Sequence, residues 1–180
     1  GSGLGSHTLL GADIDGEAVS DYSGNSVSLS SDGSRVAIGA YFNDGVSGSN
    51  SGHVRIYNYT PSGTASWTQL GADIDGEAAG DQSGFSVSLS SDGSRVAIGA
   101  YANDGVSGSN SGHVRIYDYT PSGVTSWTQV SGDIDGEASD DQSGWSVSLS
   151  SDGSRVAIGA TLNDGNGTNS GHVRIYNYTP

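Results

Sequence analysis

The sequence predicts an all-β protein built from tandem four-stranded units. Three observations predict it: a segment that recurs every 60 residues, apolar–polar alternation of period two inside each copy, and turn residues between the alternating runs. Gly11-Ala12-Asp13-Ile14-Asp15-Gly16-Glu17 returns at Gly71 to Glu77 and, slightly altered, at Ser131 to Glu137. Ser31 to Thr60 matches Ser91 to Thr120 at 28 of 30 positions. A repeat of this length sets the architecture first, because each copy is one supersecondary unit that buries its apolar face only against a neighbour. The expected units are residues 1–60, 61–120 and 121–180, together one domain or half-domain.

Each element can be justified in turn on the second copy. Trp67 to Leu70 is the first strand signal. Phe85-Ser86-Val87-Ser88-Leu89-Ser90 alternates with period two, as a strand with one buried face does. Ser91-Asp92-Gly93 supplies the Asp-Gly of a tight hairpin, and Arg95-Val96-Ala97-Ile98-Gly99-Ala100 is the returning strand. His113-Val114-Arg115-Ile116-Tyr117-Asp118-Tyr119 is the fourth. Its Val114 and Ile116 point one way, and His113, Arg115, Tyr117 and Tyr119 point the other, an outward row. No segment carries helical periodicity. Four short strands in tandem predict the blades of a β-propeller. Residues His7, Thr8, Leu9 and Leu10 align with Trp67-Thr68-Gln69-Leu70 and form a diverged copy of the first strand, while Pro180 stands where a further unit begins. The chain lacks an initiator Met and is expected to be a processed, excised or engineered piece.

Composition limits function. There are 20 acidic residues against six cationic ones, all arginine, for a formal net charge of -14. Such a surface repels phosphate and argues against nucleic acid as a partner. The absence of cysteine excludes disulfides, thiolate metal sites and cysteine nucleophiles. No run approaches the roughly 18 apolar residues of a membrane helix, so membrane insertion is not expected.

Gly84-Phe85-Ser86-Val87, then Val96-Ala97-Ile98-Gly99-Ala100, then Gly112-His113-Val114-Arg115-Ile116-Tyr117 resembles the FG-GAP repeat of integrin-α-type β-propellers. The resemblance spans essentially the whole chain three times. It implies propeller blades; the expected location, if the chain is natural rather than designed, is extracellular or at a cell surface. The sequence departs from the family where Gly-Ala-Pro becomes Gly39-Ala40-Tyr41, Gly99-Ala100-Tyr101 and Gly159-Ala160-Thr161. The family's calcium loop is here reduced to Ser31-Asp32-Gly33-Ser34 and its copies, which hold too few carboxylates to enclose an ion.

The candidate metal ligands are instead Asp13, Asp15, Glu17 and their copies Asp73, Asp75, Glu77 and Asp133, Asp135, Glu137. Several carboxylates on one Gly-containing loop suit calcium, which takes six to eight oxygens. The competing reading makes short carboxylates backbone acceptors in a long connection. No other cofactor is expected. Trp67 and Trp127 are candidate carbohydrate-stacking residues, whereas Phe85 and Trp145 are expected to fill space between blades. Asn58, Asn166 and Asn177 open N-glycosylation sequons. No catalytic residue is singled out, because every carboxylate pair occurs in near-identical copies and nothing separates the environments of an acid and a base. The expected function is a non-enzymatic, self-assembling extracellular scaffold, with a lectin-like or adhesin module as the alternative. The expected partner is the chain itself. Three blades fall short of the four to eight that close a ring, and residues 7–10 offer a spare strand for exchange. The closed dimer of six blades is favoured over a filament.

Overall fold

The computed structural model describes residues 3–61, 66–121 and 127–180. Gly1, Ser2 and the beginnings of the second and third units, 62–65 and 122–126, lie outside them, and so does the expected alignment of those beginnings.

The described residues form three antiparallel sheets and no helix. The first contains β1 (Ser26–Leu29), β2 (Arg35–Ala40), β3 (His53–Thr60) and β4 (Ser66–Gln69) in that order, with the two-residue β5 (Ile74–Asp75) also paired to β3. The second repeats this with β6 (Ser86–Leu89), β7 (Arg95–Ala100), β8 (His113–Tyr119), β9 (Trp127–Gln129) and β10 (Ile134–Asp135). The third has only β11 (Ser143–Leu149), β12 (Arg155–Ala160) and β13 (His172–Asn177). The short strands β5 and β10 fall in a stretch the sequence marks only as a connection. The outer strands of the first two sheets, β4 and β9, come from the repeat that follows, so these sheets straddle the repeat boundaries, and among the described residues the third sheet has three strands.

The hairpin between the first two strands is held locally. Asp32 Oδ1 accepts hydrogen bonds from Ser30 Oγ, Ser34 N and Ser34 Oγ at 2.8–2.9 Å. Gly33 sits at φ +70° in the left-handed region, where glycine meets no steric penalty. The same turn recurs around Asp92 and Asp152. These donors favour the ionised carboxylate and hold Asp32 and Asp152 at a pKa of about 2.

The sheets stack on one another through their alternating faces. Val54 and Ile56 of the first sheet pack with Val87, Leu89, Val96 and Ile98 of the second. Val114 and Ile116 of the second pack with Val156 and Ile158 of the third. Each aliphatic side chain buried this way contributes about 1.5–3 kcal/mol. Hydrogen bonds repeat across the same junctions. Ser26 Oγ donates to Gly84 O and Ser86 Oγ to Gly144 O, both at 2.7 Å, while Arg35 and Arg95 reach the carbonyls of Gly93 and Gly153. The approach is close enough to require glycine: a Cβ at Gly39 would lie 1.9 Å from Gly84 O, and one at Gly99 would lie 2.1 Å from Gly144 O.

The two ends of the stack are uncovered. On the first sheet Val27 and Leu29 are 62% and 60% exposed, and on the third Val173 and Ile175 are 66% and 69% exposed. Their counterparts inside the stack, Val87, Leu89, Val114 and Ile116, are buried.

Candidate functional site

A grouping of histidine, glutamate and aspartate side chains recurs in the first two sheets. It is built around the histidine that opens the third strand of each sheet. His53 pairs with Asp75 of β5, and His113 with Asp135 of β10. The short strand and its flanking connection therefore close over the imidazole, and both histidines are only 1% exposed. This corrects the outward row expected from alternation. His53 and His113 face a covering segment, and only His172, whose sheet lacks that segment, keeps partial exposure.

Around His53, Nδ1 lies 3.8 Å from Glu17 Oε2 and 3.8 Å from Asp73 Oδ2. Around His113, Nδ1 lies 3.8 Å from Glu77 Oε2 and 3.9 Å from Asp133 Oδ2. The second oxygen of each carboxylate is engaged elsewhere. Gln69 Nε2 donates to Asp73 Oδ1, and Gln129 Nε2 to Asp133 Oδ1, each at 2.7 Å. Arg55 and Arg115 approach Glu17 Oε1 and Glu77 Oε1 at 3.5 Å. Burial, aided by Arg115, pushes the pKa of His113 down, against the pull of Asp133 and Glu77.

The acidic loops thus divide differently from the sequence expectation. Asp73 turns to His53 of the first sheet and Glu77 to His113 of the second, so the carboxylates of one loop serve two clusters. Asp15, Asp75 and Asp135 give their backbone carbonyls to Arg55, Arg115 and Arg174. Burial, and then Asp73, push the Asp75 carboxyl up. Asp13 is exposed and belongs to no cluster among the described residues. Asp21, Asp81 and Asp141 are buried braces: each accepts a backbone N–H three residues back and an asparagine side chain. The histidines gave no sequence signal beyond their recurrence, because alternation alone places them on a solvent row.

Trp67 and Trp127 sit on the outer strands with their indole N–H groups bonded to the carbonyls of Leu10 and Leu70 at 3.0 and 2.8 Å. Trp127 is buried in the core between the first two sheets, which leaves little of its ring for stacking. Aromatic surface gathers elsewhere. Tyr22, Tyr41, Phe42, Phe85, Tyr101 and Trp145 form one continuous ribbon across all three sheets, with ring centroids 4.3–5.8 Å apart. Phe85 and Trp145 do lie between sheets, and Trp145 also stays open to solvent. Among the sequon residues, Asn58 and Asn177 accept hydrogen bonds from Arg35 and Arg155, whereas Asn166 is exposed.

The profile of the FG-GAP repeat matches residues 72–117 and 133–176, half of the chain. The chain belongs to the FG-GAP repeat family. The first match runs from the connection before β5 through β6, β7 and most of β8; the second repeats it into β13. The FG-GAP family is generally non-enzymatic, its repeats suggest a propeller-type binding or scaffold domain, and they are typical of extracellular or surface proteins. No curated protein matches the chain. Among solved structures, hydrazine synthase of Kuenenia stuttgartiensis is similar at a TM-score of 0.46 and 15% identity, over 84% of this chain and 44% of that one. A structure from Bacteroides uniformis assigned as a 6-phosphogluconolactonase is similar at a TM-score of 0.41 and 11% identity, over 87% of this chain and 54% of that one. The chain therefore spans about half the length of these structures. In this FG-GAP chain the tight Ser-Asp-Gly-Ser turn between the first two strands of each sheet is closed by its own hydroxyl and amide donors, which occupy the aspartate.

Proposed function

We propose that the chain is a non-enzymatic scaffold of propeller blades that assembles with a second copy of itself, extracellularly or at a cell surface. The observation that carries this is the match between its two open ends. Val27 and Leu29 on one end, and Val173 and Ile175 on the other, are the copies of residues that pack face to face at both internal junctions. Each open end is one half of an interface the chain already makes twice.

The strand pattern supports the same reading. An open groove of about 500 Å³ beside β13 is lined by Ile116, Val130, Ile134, Val156, Tyr176 and Tyr178. These are the third-sheet counterparts of the residues around Trp67 and Trp127. Residues 7–10, the diverged copy of that outer strand, form no strand within the chain, and Leu9 and Leu10 are exposed. By the register of β3 with β4, where Asn58 faces Thr68, Thr8 of a second copy lies opposite Asn177, and His7 enters the groove. Pairing covers a strand edge that otherwise invites aggregation. Two copies joined reciprocally make a closed ring of six blades with twofold symmetry.

Light scattering on the purified chain tests the reading. A twofold multiple of 18.1 kDa is the expected mass. A stable monomer with native β-structure, or an open-ended filament, overturns the closed dimer.

The aromatic ribbon favours a second reading, a carbohydrate-binding module with one aromatic step per blade, since sugar rings stack on exposed aromatic faces. A glycan array decides it: silence removes this reading and leaves the scaffold.

A further inference from the structure

We infer that Glu17–His53–Asp73 and Glu77–His113–Asp133 are two equivalent binding sites for a borderline divalent transition metal of the zinc class, which stitches each sheet to the connections on either side of it. In each triad one imidazole nitrogen and two carboxylate oxygens lie within 4.8 Å of one another.

The first support is ligand geometry. The nitrogen-to-oxygen separations are 3.8–3.9 Å, too long for hydrogen bonds. Donors held about 2.0–2.2 Å from one ion in tetrahedral to trigonal directions stand roughly 3.3–3.8 Å apart. The second support is the histidine itself. His113 is 1% exposed, and its Nε2 is buried with no hydrogen-bond partner among the described residues. Its Nδ1 aims at the two carboxylates without reaching either. A buried imidazole nitrogen without a partner is rare in a folded protein. An ion at Nδ1 uses that nitrogen's lone pair and leaves the proton on Nε2.

The third support is the surrounding shell. Metal-ligating groups are held in place by outer hydrogen bonds. Here Gln69 and Gln129 hydrogen-bond the aspartates through the oxygen that faces away from the imidazole, and Arg55 and Arg115 stand in ion-pair range, 3.5 Å, of the far oxygen of the glutamates. Each carboxylate is left with one oxygen turned toward Nδ1. Imidazole with carboxylate selects zinc-class ions, whereas calcium prefers an all-oxygen shell. Three protein ligands leave a fourth position for water. The third sheet holds only part of the set: His172 Nδ1 is 3.6 Å from Glu137 Oε2, and no aspartate joins them among the described residues.

The test is equilibrium dialysis of the intact chain against zinc, with bound metal counted by elemental analysis. Substituted cobalt(II) gives a visible spectrum that reports imidazole ligation. Two ions per chain are expected, one for each triad. Glu17→Gln with Glu77→Gln should abolish uptake; these side chains are half exposed, and circular dichroism verifies the fold. Gln69→Leu with Gln129→Leu, which touches no ligand atom, should weaken binding about 10- to 100-fold. Zinc uptake unchanged by the glutamate pair, no zinc uptake, or calcium uptake in place of zinc each overturns the assignment. All ligands of a triad belong to one chain. A monomer that binds two zinc ions therefore defeats the assembly reading and leaves this one standing, and a dimer that binds none does the reverse.

Discussion

The second and third sheets are nearly the same sequence in different surroundings. Val-Arg-Ile-Tyr occurs in β8 and again in β13. In β8, Val114 and Ile116 are buried under the third sheet; in β13, Val173 and Ile175 face solvent. Arg95 donates to Asp118 and to Gly153 O and lies over the Tyr178 ring, whereas among the described residues the Arg155 side chain bonds only Asn177. The burial of a blade residue is therefore set by the next blade in the stack and not by the strand that carries it. What persists in both sheets is what the strand and its turn make locally.

Three predictions break or sharpen this comparison. The largest effect is expected at the paired isoleucines. Ile116→Ala should cost about 2–5 kcal/mol, and Ile175→Ala, at a protein concentration below assembly, should stay within about 0.5 kcal/mol. Urea denaturation of the two variants measures the difference. Equal losses would mean that β13 is covered after all.

A smaller contrast is expected at the paired glycines. Alanine at Gly99 drives its Cβ into the backbone of Gly144 and should cost about 1–3 kcal/mol. At Gly159 the obstacle is the Ser146 hydroxyl, which can rotate away, so the loss should remain under about 1 kcal/mol. Thermal melts of both variants decide between backbone crowding at the junction and a local strand effect.

The smallest contrast is expected at the turns, where the two sheets should behave alike. The folded pKa of Asp152 is depressed to about 2, and that of Asp92 is lowered by the same serine donors. Their stabilisation is present above the ordinary carboxyl range near pH ~4 and is lost as pH falls toward the depressed values. Asp92→Asn and Asp152→Asn should each flatten the acid limb of stability between about pH 4 and 2 by a similar amount. A marked difference, read from denaturation midpoints across that range, would show that the neighbouring sheet contributes to the turn.

The acid cluster shows where legibility stopped. The Asp-x-Asp-x-Glu loop was visible as a recurring group of carboxylates, a calcium candidate weighed against a role as backbone acceptors within one connection. The chain instead sends Asp73 back to the sheet it leaves and Glu77 forward to the sheet it enters. The buried histidine joining them carried no distinguishing mark, since strand alternation places it on a row expected to face solvent. Similarly, Trp67 and Trp127 were visible as recurring aromatics, but their burial depends on a groove built from the preceding connection.

The sequence by itself determined the long strands of each unit and the tight turns between them, because period-two alternation, Asp-Gly hairpins and left-handed glycines act within a few residues; the short β5 and β10 and the unpaired residues 7–10 were not legible in it. It also determined the repeat, and with it the family. The tertiary structure decided which sheet each outer strand joins, which of several identical valines and isoleucines are covered, and which carboxylates meet a histidine. Those outcomes depend on contacts between residues about 20 to 60 positions apart, and near-identical copies carry no local mark of their place in the stack.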